Sequence, residues 1–400
     1  MSVTSFDVAR VRGLYPTVGA GVAHLEGPFS ALQPESVIRA IISTLRSAPA
    51  QPGSGSARSR YSATATLQAR NAVADLVGGS ADSVVLGDSL ATLQLHLVRV
   101  LAQDWQLGDE IVVSRFDADS VLRPLLAAAR TGGVVVRWAE VDLETGELPA
   151  WQYEQLIGRR TRVVTVPLAN PATGAVPEVR TIADLAHRHG ALLLVDAGAA
   201  VPQLSLDLGA LGADLLAISA ASFGGPTVAA VAARPGLLLE LDGDVHRPVP
   251  QRFEFGPLPV ELLGGLTAAV DHLAGLDEHA TGSRRERLVA SVTAAGEYQR
   301  GLYQRLDAGL RELAGLTVLG STADRVPVVA CTVARRHPDE VGDALRRHGV
   351  SVWTGSGGQS ELMTAFGTDE LGGAVYAGLM PHTAPGEVDQ LLEALRTLVR

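Results

Sequence analysis

Three short stretches of the chain carry side chains that could do chemistry. Asp196 ends an apolar run, Gly87-Asp88-Ser89 precedes a helical pattern that begins near Leu90, and Ser219 to Ser222 follows another apolar run. A carboxylate at the end of a buried strand can cap the next helix or hold a polar ligand at the sheet edge. The backbone N–H groups at the start of a helix can hold an anion. These stretches are the candidate binding groups.

The chain contains no lysine, because all 33 of its residues counted as lysine or arginine are arginine. A Walker A phosphate loop, a Schiff-base enzyme and a lysine general base each need a primary amine that arginine cannot supply. The codon bias of a GC-rich genome would thin out lysine, but it would spare a lysine that chemistry required. All three mechanisms are therefore excluded for this chain.

Composition indicates a globular protein whose expected partner is a small molecule. The 400 residues are 46% hydrophobic and 19% charged, so they can bury a large core in one large and one smaller domain. The net charge is −10, and the arginines are scattered without forming a basic stripe. Nucleic acid is therefore a poor expected partner, and a small-molecule ligand is a better one.

The sequence also favours a cytoplasmic location. Cys331 is the single cysteine, so no internal disulfide can form. Residues 1–13 carry charges where a signal peptide would need an apolar run, and no apolar stretch reaches the length of a membrane span. We expect a cytoplasmic protein with no membrane partner.

The elements that position the candidate groups follow from periodicity. Short apolar runs alternate with helical patterns, which predicts an α/β fold with a mostly parallel sheet covered on both faces. Its predicted strands cover 84–86, 110–113, 134–138, 163–166, 191–196 and 215–219. A second domain is predicted to contain strands at 316–319 and 326–333 and helices at 284–313, 338–348 and 385–399. Residues 48–62, rich in Ser, Gly, Pro and Arg, are predicted to form a loop.

The passage from Ala191 to Pro226 resembles the class V aminotransferases, the pyridoxal-phosphate enzymes that include the cysteine desulfurases. It contains a strand ending in Asp196 and later the run Ser219-Ala-Ala-Ser222-Phe-Gly-Gly-Pro226. Other segments fall in family order, namely Gly108-Asp-Glu, Thr145-Gly-Glu-Leu, Asn170, Arg252-Phe-Glu-x-Gly256 and Gly386-Glu-Val-Asp389.

The resemblance implies the fold type I of pyridoxal-phosphate transferases. We then expect a large domain at 25–280 with a mostly parallel, seven-stranded sheet between helices. A smaller α+β domain would follow at 281–400, and an N-terminal segment at 1–24 would pack with it. The resemblance also implies a homodimer, because family sites are completed by the neighbouring subunit.

Several functional positions of the family are changed in this chain. Ser222 stands where the resemblance places the Schiff-base lysine, and the loop Thr354 to Gly358 lacks the persulfide cysteine of the desulfurases. Family residues that contact the cofactor or the substrate are also replaced. Ala118 stands in place of the histidine that stacks on the cofactor ring, Ala199 in place of a glutamine that contacts the cofactor, and Ala221 in place of the histidine before the lysine. Pro257 stands in place of a phosphate-binding threonine, and Tyr376 in place of the arginine that binds the substrate carboxylate.

Other cofactor positions are retained or only partly changed. The resemblance makes Asp196 the partner of the pyridinium nitrogen and Asp88, Ser89 and Ser219 the phosphate turn, and it adds Asn170 and Arg252 to the cofactor site. Three of these residues have an alternative role: Asp196 as a capping or general polar group, Ser219 as a turn residue, and Arg252 in a pair with Glu254 or at a subunit interface. For Asp88 we favour a helix cap, since its carboxylate would repel a phosphate.

Two functions follow. The first is a degenerate or cofactor-independent homologue that binds a small molecule or a protein, with no catalytic residue assigned. The second is an enzyme acting on an amino-group substrate with pyridoxal phosphate or pyridoxamine phosphate bound non-covalently. In neither case is a covalently bound cofactor expected.

Three weaker patterns remain. Gly87-Asp88-Ser89-Leu90 spells the signature of GDSL serine hydrolases, and Asp184 and His187 have the spacing of that class, but its Gly-x-Asn-Asp block is absent. His187 and His189 would point to different sides of a helix, so no metal site is predicted. Further ionisable groups that could line a pocket at the sheet edge are Asp117, Asp119, His246, Arg247 and His382.

Overall fold

A seven-stranded sheet organises the large domain in the computed structural model, which describes residues 6–19, 21–51, 53–243, 246–321 and 324–399. The strand order is β2-β8-β7-β6-β5-β3-β4, and only β8 runs antiparallel to its neighbours. The predicted α/β class with a mostly parallel seven-stranded sheet is confirmed. The strands are β2 (Val84–Gly87), β3 (Glu110–Ser114), β4 (Val135–Ala139), β5 (Thr161–Pro167), β6 (Leu192–Asp196), β7 (Leu215–Ser219) and β8 (Ala229–Ala233).

Helices cover both faces of this sheet. Val112 and Leu193 face one core layer with the helices that carry Val73 and Leu263, while Val113 faces the opposite layer. Burial on both sides explains why these strands read as continuous apolar runs. The helices of this part are α2 (Glu35–Arg46), α3 (Ala57–Val77), α4 (Leu90–Leu101), α5 (Asp119–Gly132), α6 (Trp151–Leu156), α7 (Val179–Arg188), α8 (Leu208–Leu211), α9 (Leu237–Glu240) and α10 (Val260–Ala274).

Two local predictions need correction. Strand β8 has the sequence Ala-Ala-Val-Ala-Ala and was not predicted, because alanine is depleted in strands; its complete burial between β2 and β7 overrides that preference. The loop predicted at 48–62, of which residue 52 lies outside the described residues, ends at Ser56. The Ser56 side chain accepts a hydrogen bond from the Ser59 N–H and starts α3 at Ala57.

The C-terminal part contains an antiparallel sheet of order β12-β13-β10-β9. Its core includes Leu306, Cys331 and Leu391, so the prediction of a buried strand around Cys331 is confirmed. The domain boundaries at 24 and 280 stay predictions. The elements are α11 (Arg284–Arg311), β9 (Leu316–Val318), β10 (Val328–Val333), α12 (Pro338–Arg347), β11 (Val350–Ser351), β12 (Trp353–Gly355), α13 (Ser360–Ala365), β13 (Ala374–Gly378) and α14 (Pro385–Leu398).

The N-terminal segment contacts both parts of the molecule. It contains α1 (Val8–Arg12) and β1 (Ala23–His24), and its residues 1–5 and 20 lie outside the described residues. Strand β1 pairs in parallel with β11, and Arg12 forms a 2.6 Å ion pair with Glu387. Arg10 donates to the Gly275 carbonyl oxygen at 3.2 Å, which ties α1 to the end of α10 as well. Among the described helices, none is both long and apolar enough to cross a membrane.

Two histidines are buried where these parts meet. His272 Nε2 lies 2.8 Å from the Tyr15 hydroxyl, and the His382 ring packs 4.5 Å from the Tyr15 ring. Neither ring nitrogen of His382 has a hydrogen-bond partner in the described part of the chain. Burial lowers the pKa of His272 to about 4 and the pKa of His382 to about 3. In the folded protein, both rings therefore stay neutral as the pH falls from neutrality to well below 6.

His382→Phe should reduce the loss of stability in acid. The unfolded state takes up a proton near pH 6.5, whereas folded His382 stays neutral to about pH 3, so the free energy of unfolding falls as the pH drops below 6.5. Between about pH 7 and about pH 5, this one group costs the wild type about 2 kcal/mol. Urea unfolding at both pH values measures the difference. His189→Phe, at an exposed histidine, is the control, and equal acid sensitivity of the two variants would contradict the prediction.

Candidate functional site

A cavity of about 330 Å³ lies at the carboxyl ends of β5, β6 and β7. In parallel sheets these ends meet at one edge, so the residues that follow the strands converge there. The polar side chains on its wall are Ser120, Asp196, Ser219, Ser222 and Gln359, and its bulky apolar residues are Pro28, Phe29, Leu90, Phe116, Pro167 and Pro171. Of the predicted site residues, the cavity therefore brings together Asp196, Ser219 and Ser222.

Asp196 ends β6 and is 9% exposed. Its Oδ1 accepts a hydrogen bond from the Gly198 N–H at 2.8 Å, and within the described residues its Oδ2 has no hydrogen-bond partner. Burial raises the pKa of Asp196, and the bond from Gly198 opposes that shift. The carboxyl group is a partly satisfied buried acceptor at the cavity wall, so it is available to a hydrogen-bond donor or a cation.

Ser222 is held by the turn that follows β7. Its hydroxyl donates to the Ser219 carbonyl oxygen at 2.8 Å, and the residue is 7% exposed. No general base contacts this hydroxyl among the described residues, so nothing activates it as a nucleophile. The position is a small, neutral part of the cavity wall.

Ser89, rather than Asp88, caps helix α4. The Ser89 side chain accepts from the Thr92 N–H at 3.1 Å, while Asp88 is exposed. The favoured prediction of an Asp88 cap is therefore wrong, because a cap must accept from an N–H group two or three residues later and Ser89 has that position. Neither residue lines the cavity, although the next residue, Leu90, does.

Asn170 and Gln359 connect the two parts of the molecule behind the cavity. Asn170 donates to Gln359 Oε1 at 3.1 Å, and its own oxygen accepts from the Ala172 and Thr173 N–H groups. Asn170 thus orders its loop and positions Gln359, which lines the cavity. The sequence reasoning missed Gln359 because the matched loop ended at Gly358; the adjacent glycines were the only local signal.

Arg252 does not line the cavity within one chain. It lies in the turn Gln251–Phe253, and its Nε is buried without a hydrogen-bond partner in the described part of the molecule. The predicted Arg252–Glu254 pair is wrong. Glu254 instead forms a buried 2.6 Å ion pair with Arg70 and accepts from the Leu86 N–H at 3.0 Å. This pair lies at a cleft of about 1010 Å³ next to Leu67 and Pro257.

Asp117 lies behind the wall, fully buried. Its Oδ2 accepts from the Ser114 N–H at 2.7 Å and from the Thr165 hydroxyl at 2.6 Å, whereas its Oδ1 has no partner in the described part of the chain. Burial raises the pKa of Asp117 to about 6, and the neighbouring charge of Asp196 adds to the shift. The two carboxyl groups therefore interact unfavourably when both are ionised.

Three positions that the resemblance equates with cofactor contacts are alanines on the cavity wall. Ala118, Ala199 and Ala221 contribute only methyl groups to its wall. The Tyr376 hydroxyl donates to the Ser356 carbonyl oxygen at 2.8 Å and so supports the loop that carries Gly357. Burial raises the pKa of the Cys331 thiol to about 12, in the core of the C-terminal part.

The alternative sites do not assemble. Asp184 pairs with Arg180, and His187 Nε2 lies 2.8 Å from Asp214, so the hydrolase triad with Ser89 is absent. His187 is thus held by a carboxylate rather than by solvent alone. The described residues contain no group of three or more His, Cys, Asp or Glu side chains that could hold a metal. His382 packs on Tyr15, and Arg247 donates to the Glu254 carbonyl oxygen at 2.8 Å.

The loop at 356–360 is held across the cavity by Asp119. The Ser360 hydroxyl donates to Asp119 Oδ2 at 2.7 Å, and the Asp119 N–H donates to the Gly358 carbonyl oxygen at 2.8 Å. An ion pair between Arg115 and Glu361 lies beside these contacts. The loop that the resemblance equates with the desulfurase cysteine loop is therefore fastened to the start of α5.

Asp119→Ala should loosen this loop. Removal of a charged acceptor costs roughly 1 to 3 kcal/mol locally, which corresponds to about fivefold or faster amide exchange at 356–361. Hydrogen–deuterium exchange by mass spectrometry measures the change. Asp184→Ala, which removes the exposed pair with Arg180, is the control. Unchanged exchange in the loop would show that Asp119 does not hold it.

Comparisons with known proteins agree with this architecture. A family model described as aminotransferase class-V matches residues 24–391. An uncharacterized protein of Mycobacterium tuberculosis (strain CDC 1551 / Oshkosh) is 38% identical over 398 residues, covering 98% of this chain and all of the relative. A probable cysteine desulfurase of Aeropyrum pernix is 28% identical over 419 residues, covering 98% of each chain.

Solved structures show the same fold. The apo structure of a cysteine desulfurase from Thermococcus onnurineus NA1 aligns with a TM-score of 0.86 at 22% identity, covering 98% of both chains. A cysteine desulfurase from Escherichia coli, solved in its S-sulfonic acid form, aligns with a TM-score of 0.85 at 21% identity. The family match over most of the chain confirms the resemblance: this chain belongs to the class V aminotransferase family and has its pyridoxal-phosphate transferase fold.

Proposed function

We propose that this family member binds a small molecule non-covalently in the cavity and does not use lysine-dependent pyridoxal-phosphate catalysis. The carrying observation is Ser222, which occupies the lysine position on the cavity wall and donates its hydroxyl to Ser219. A hydroxyl cannot form a Schiff base, and no lysine exists elsewhere in the chain to replace it.

The residues present do not fit a covalently held pyridoxal phosphate. Asp196 matches the ring nitrogen, but Ala118 offers no stacking surface. At the phosphate end, the Ser89 side chain is already used by the Thr92 N–H, and the Asp88 carboxylate beside it opposes an anion. Asp196 and Ser219 remain on the cavity wall, whereas the stacking side chain is absent and the Ser89 hydroxyl is already occupied.

A protein-bound persulfide is equally unsupported. The only cysteine, Cys331, lies in the core of the C-terminal part, away from the cavity lining. A thiol whose pKa is raised to about 12 is almost entirely protonated at neutral pH and is a poor nucleophile. We therefore do not assign cysteine desulfuration to this chain.

The second candidate is an enzyme with non-covalent pyridoxal or pyridoxamine phosphate. It is favoured by the partner-free Oδ2 of Asp196, since a pyridinium nitrogen would satisfy this oxygen. Bound in that way, the cofactor would supply an electron sink for an amino-group substrate. The two candidates differ in the affinity they require for the cofactor.

Titration with pyridoxal phosphate and pyridoxamine phosphate decides between them. We expect dissociation constants of about 1 mM or weaker for both, because Ala118 lacks a stacking ring and the Ser89 hydroxyl at the phosphate end is already occupied. Absorbance and melting temperature follow the binding. Micromolar affinity for either compound would contradict the first proposal and support the second.

Ser222→Lys tests whether the missing amine is the decisive loss. The variant should form a Schiff base with pyridoxal phosphate and acquire its absorption band, provided that the cavity accepts the ring. Ser222→Arg is the matched control, because it adds a cation that cannot form a Schiff base. Absence of the band in a folded Ser222→Lys variant would show that the cavity itself has become incompatible with the cofactor.

We further propose a cytoplasmic homodimer, as the family resemblance implies. The cleft of about 1010 Å³ has the exposed residues Leu67 and Pro257 on its wall, and Phe255 beside it is 73% exposed. An apolar surface of this kind is typical of an interface. Light scattering on the purified protein should give twice the chain mass, and a monomeric mass would contradict the proposal.

A further inference from the structure

Within one chain, the described wall of the cavity has a negative charge and no counter-charge. Asp196 is the only charged side chain on its wall, which in the described structure contains no arginine or histidine. The arginine that follows β3, Arg115, is paired with Glu140 at 3.1 Å and with Glu361. The wall therefore presents an unneutralised carboxylate in a setting of low dielectric constant.

A second carboxyl group strengthens this field. Asp117 lies close enough to Asp196 for its pKa to be raised by that charge, and its Oδ1 is buried without a partner among the described residues. Buried unpaired carboxylates are costly, and a cation nearby would stabilise both. An anion in the same cavity would meet repulsion from two acidic side chains.

Helix ends do not reverse this balance. The amino end of α4 lies at the cavity through Leu90, but Ser89 already accepts from the Thr92 N–H there. The amino end of α5 carries Asp119, whose carboxylate is held by Ser360. A helix end contributes about half a positive charge at most, which is smaller than the full charge of one carboxylate.

We propose that the cavity prefers a small aromatic molecule that carries a cationic group, such as an amidinium or a protonated amine. Asp196 would hold the cationic group. Phosphate esters and carboxylates would bind more weakly. Phe29 and Phe116 contribute apolar atoms to the wall, and Gln359 adds a polar side chain. This inference rests on the proposed non-covalent binding function and names the ligand class of the same site.

Three probes of one shape and different charge test the selection: benzamidine, benzamide and benzoate. Binding to the wild-type protein is measured by isothermal titration calorimetry up to about 10 mM ligand. We expect benzamidine to bind at least about tenfold more tightly than benzamide, and benzoate to bind most weakly, because only the amidinium pairs with a buried carboxylate. Equal or tighter binding of benzoate, or no saturable binding of benzamidine, overturns the inference.

Variants locate the binding. Asp196→Asn should reduce benzamidine affinity about tenfold or more and leave benzamide affinity nearly unchanged, whereas Asp184→Asn, at an exposed helix position, should change neither. Retained benzamidine affinity in a folded Asp196→Asn variant also overturns the inference. Failure of the proposed function is distinguishable, since it appears as micromolar binding of pyridoxal or pyridoxamine phosphate, whatever the benzamidine result.

Discussion

Burial of the central sheet on both faces is the constraint on which the rest of the structure depends. Core layers on either side leave the inner strands β5 to β8 little exposed surface except near their ends, whereas the edge strand β4 keeps Val135 and Arg137 exposed. Polar groups that must remain accessible are therefore confined to the carboxyl edge, where Asp196 ends β6 and Ser219 ends β7. The cavity forms there because connecting loops, unlike strands, can approach one another with polar side chains.

The charge of the cavity wall depends on the residue types at two positions on that wall, Asp196 and Ser222. Ser222 supplies neither a positive charge nor an amine, whereas Asp196 supplies a carboxylate to the same wall. In a lysine-bearing site the two charges offset one another; here the carboxylate has no cation among the described residues of the wall. With a neutral residue at position 222, the carboxylate sets the charge of the wall.

Sequence reasoning succeeded where the physical signal is local. Apolar runs and strand-end residues located β2 to β7, and the ordered motifs identified the family. Sequence reasoning failed where tertiary packing decides which element forms or which residues pair. The alanine-rich β8 looks unlike a strand until its burial is known, and Glu254 pairs with Arg70, a residue 184 positions away, rather than with nearby Arg252. At α4 the cap was assigned one residue too early, a shift that composition cannot resolve because Asp and Ser are both good caps.

The amino-acid sequence by itself determined the fold class, the family and the absence of a Schiff-base amine, because each depends on residue type and order along the chain. Only the tertiary structure decided that Gln359 joins Asp196 at one cavity, that Arg252 does not line it, and that Asp117 stands behind Asp196. Those relations join residues from distant segments, and their energies depend on burial and distance. Neither quantity can be read from order along the chain.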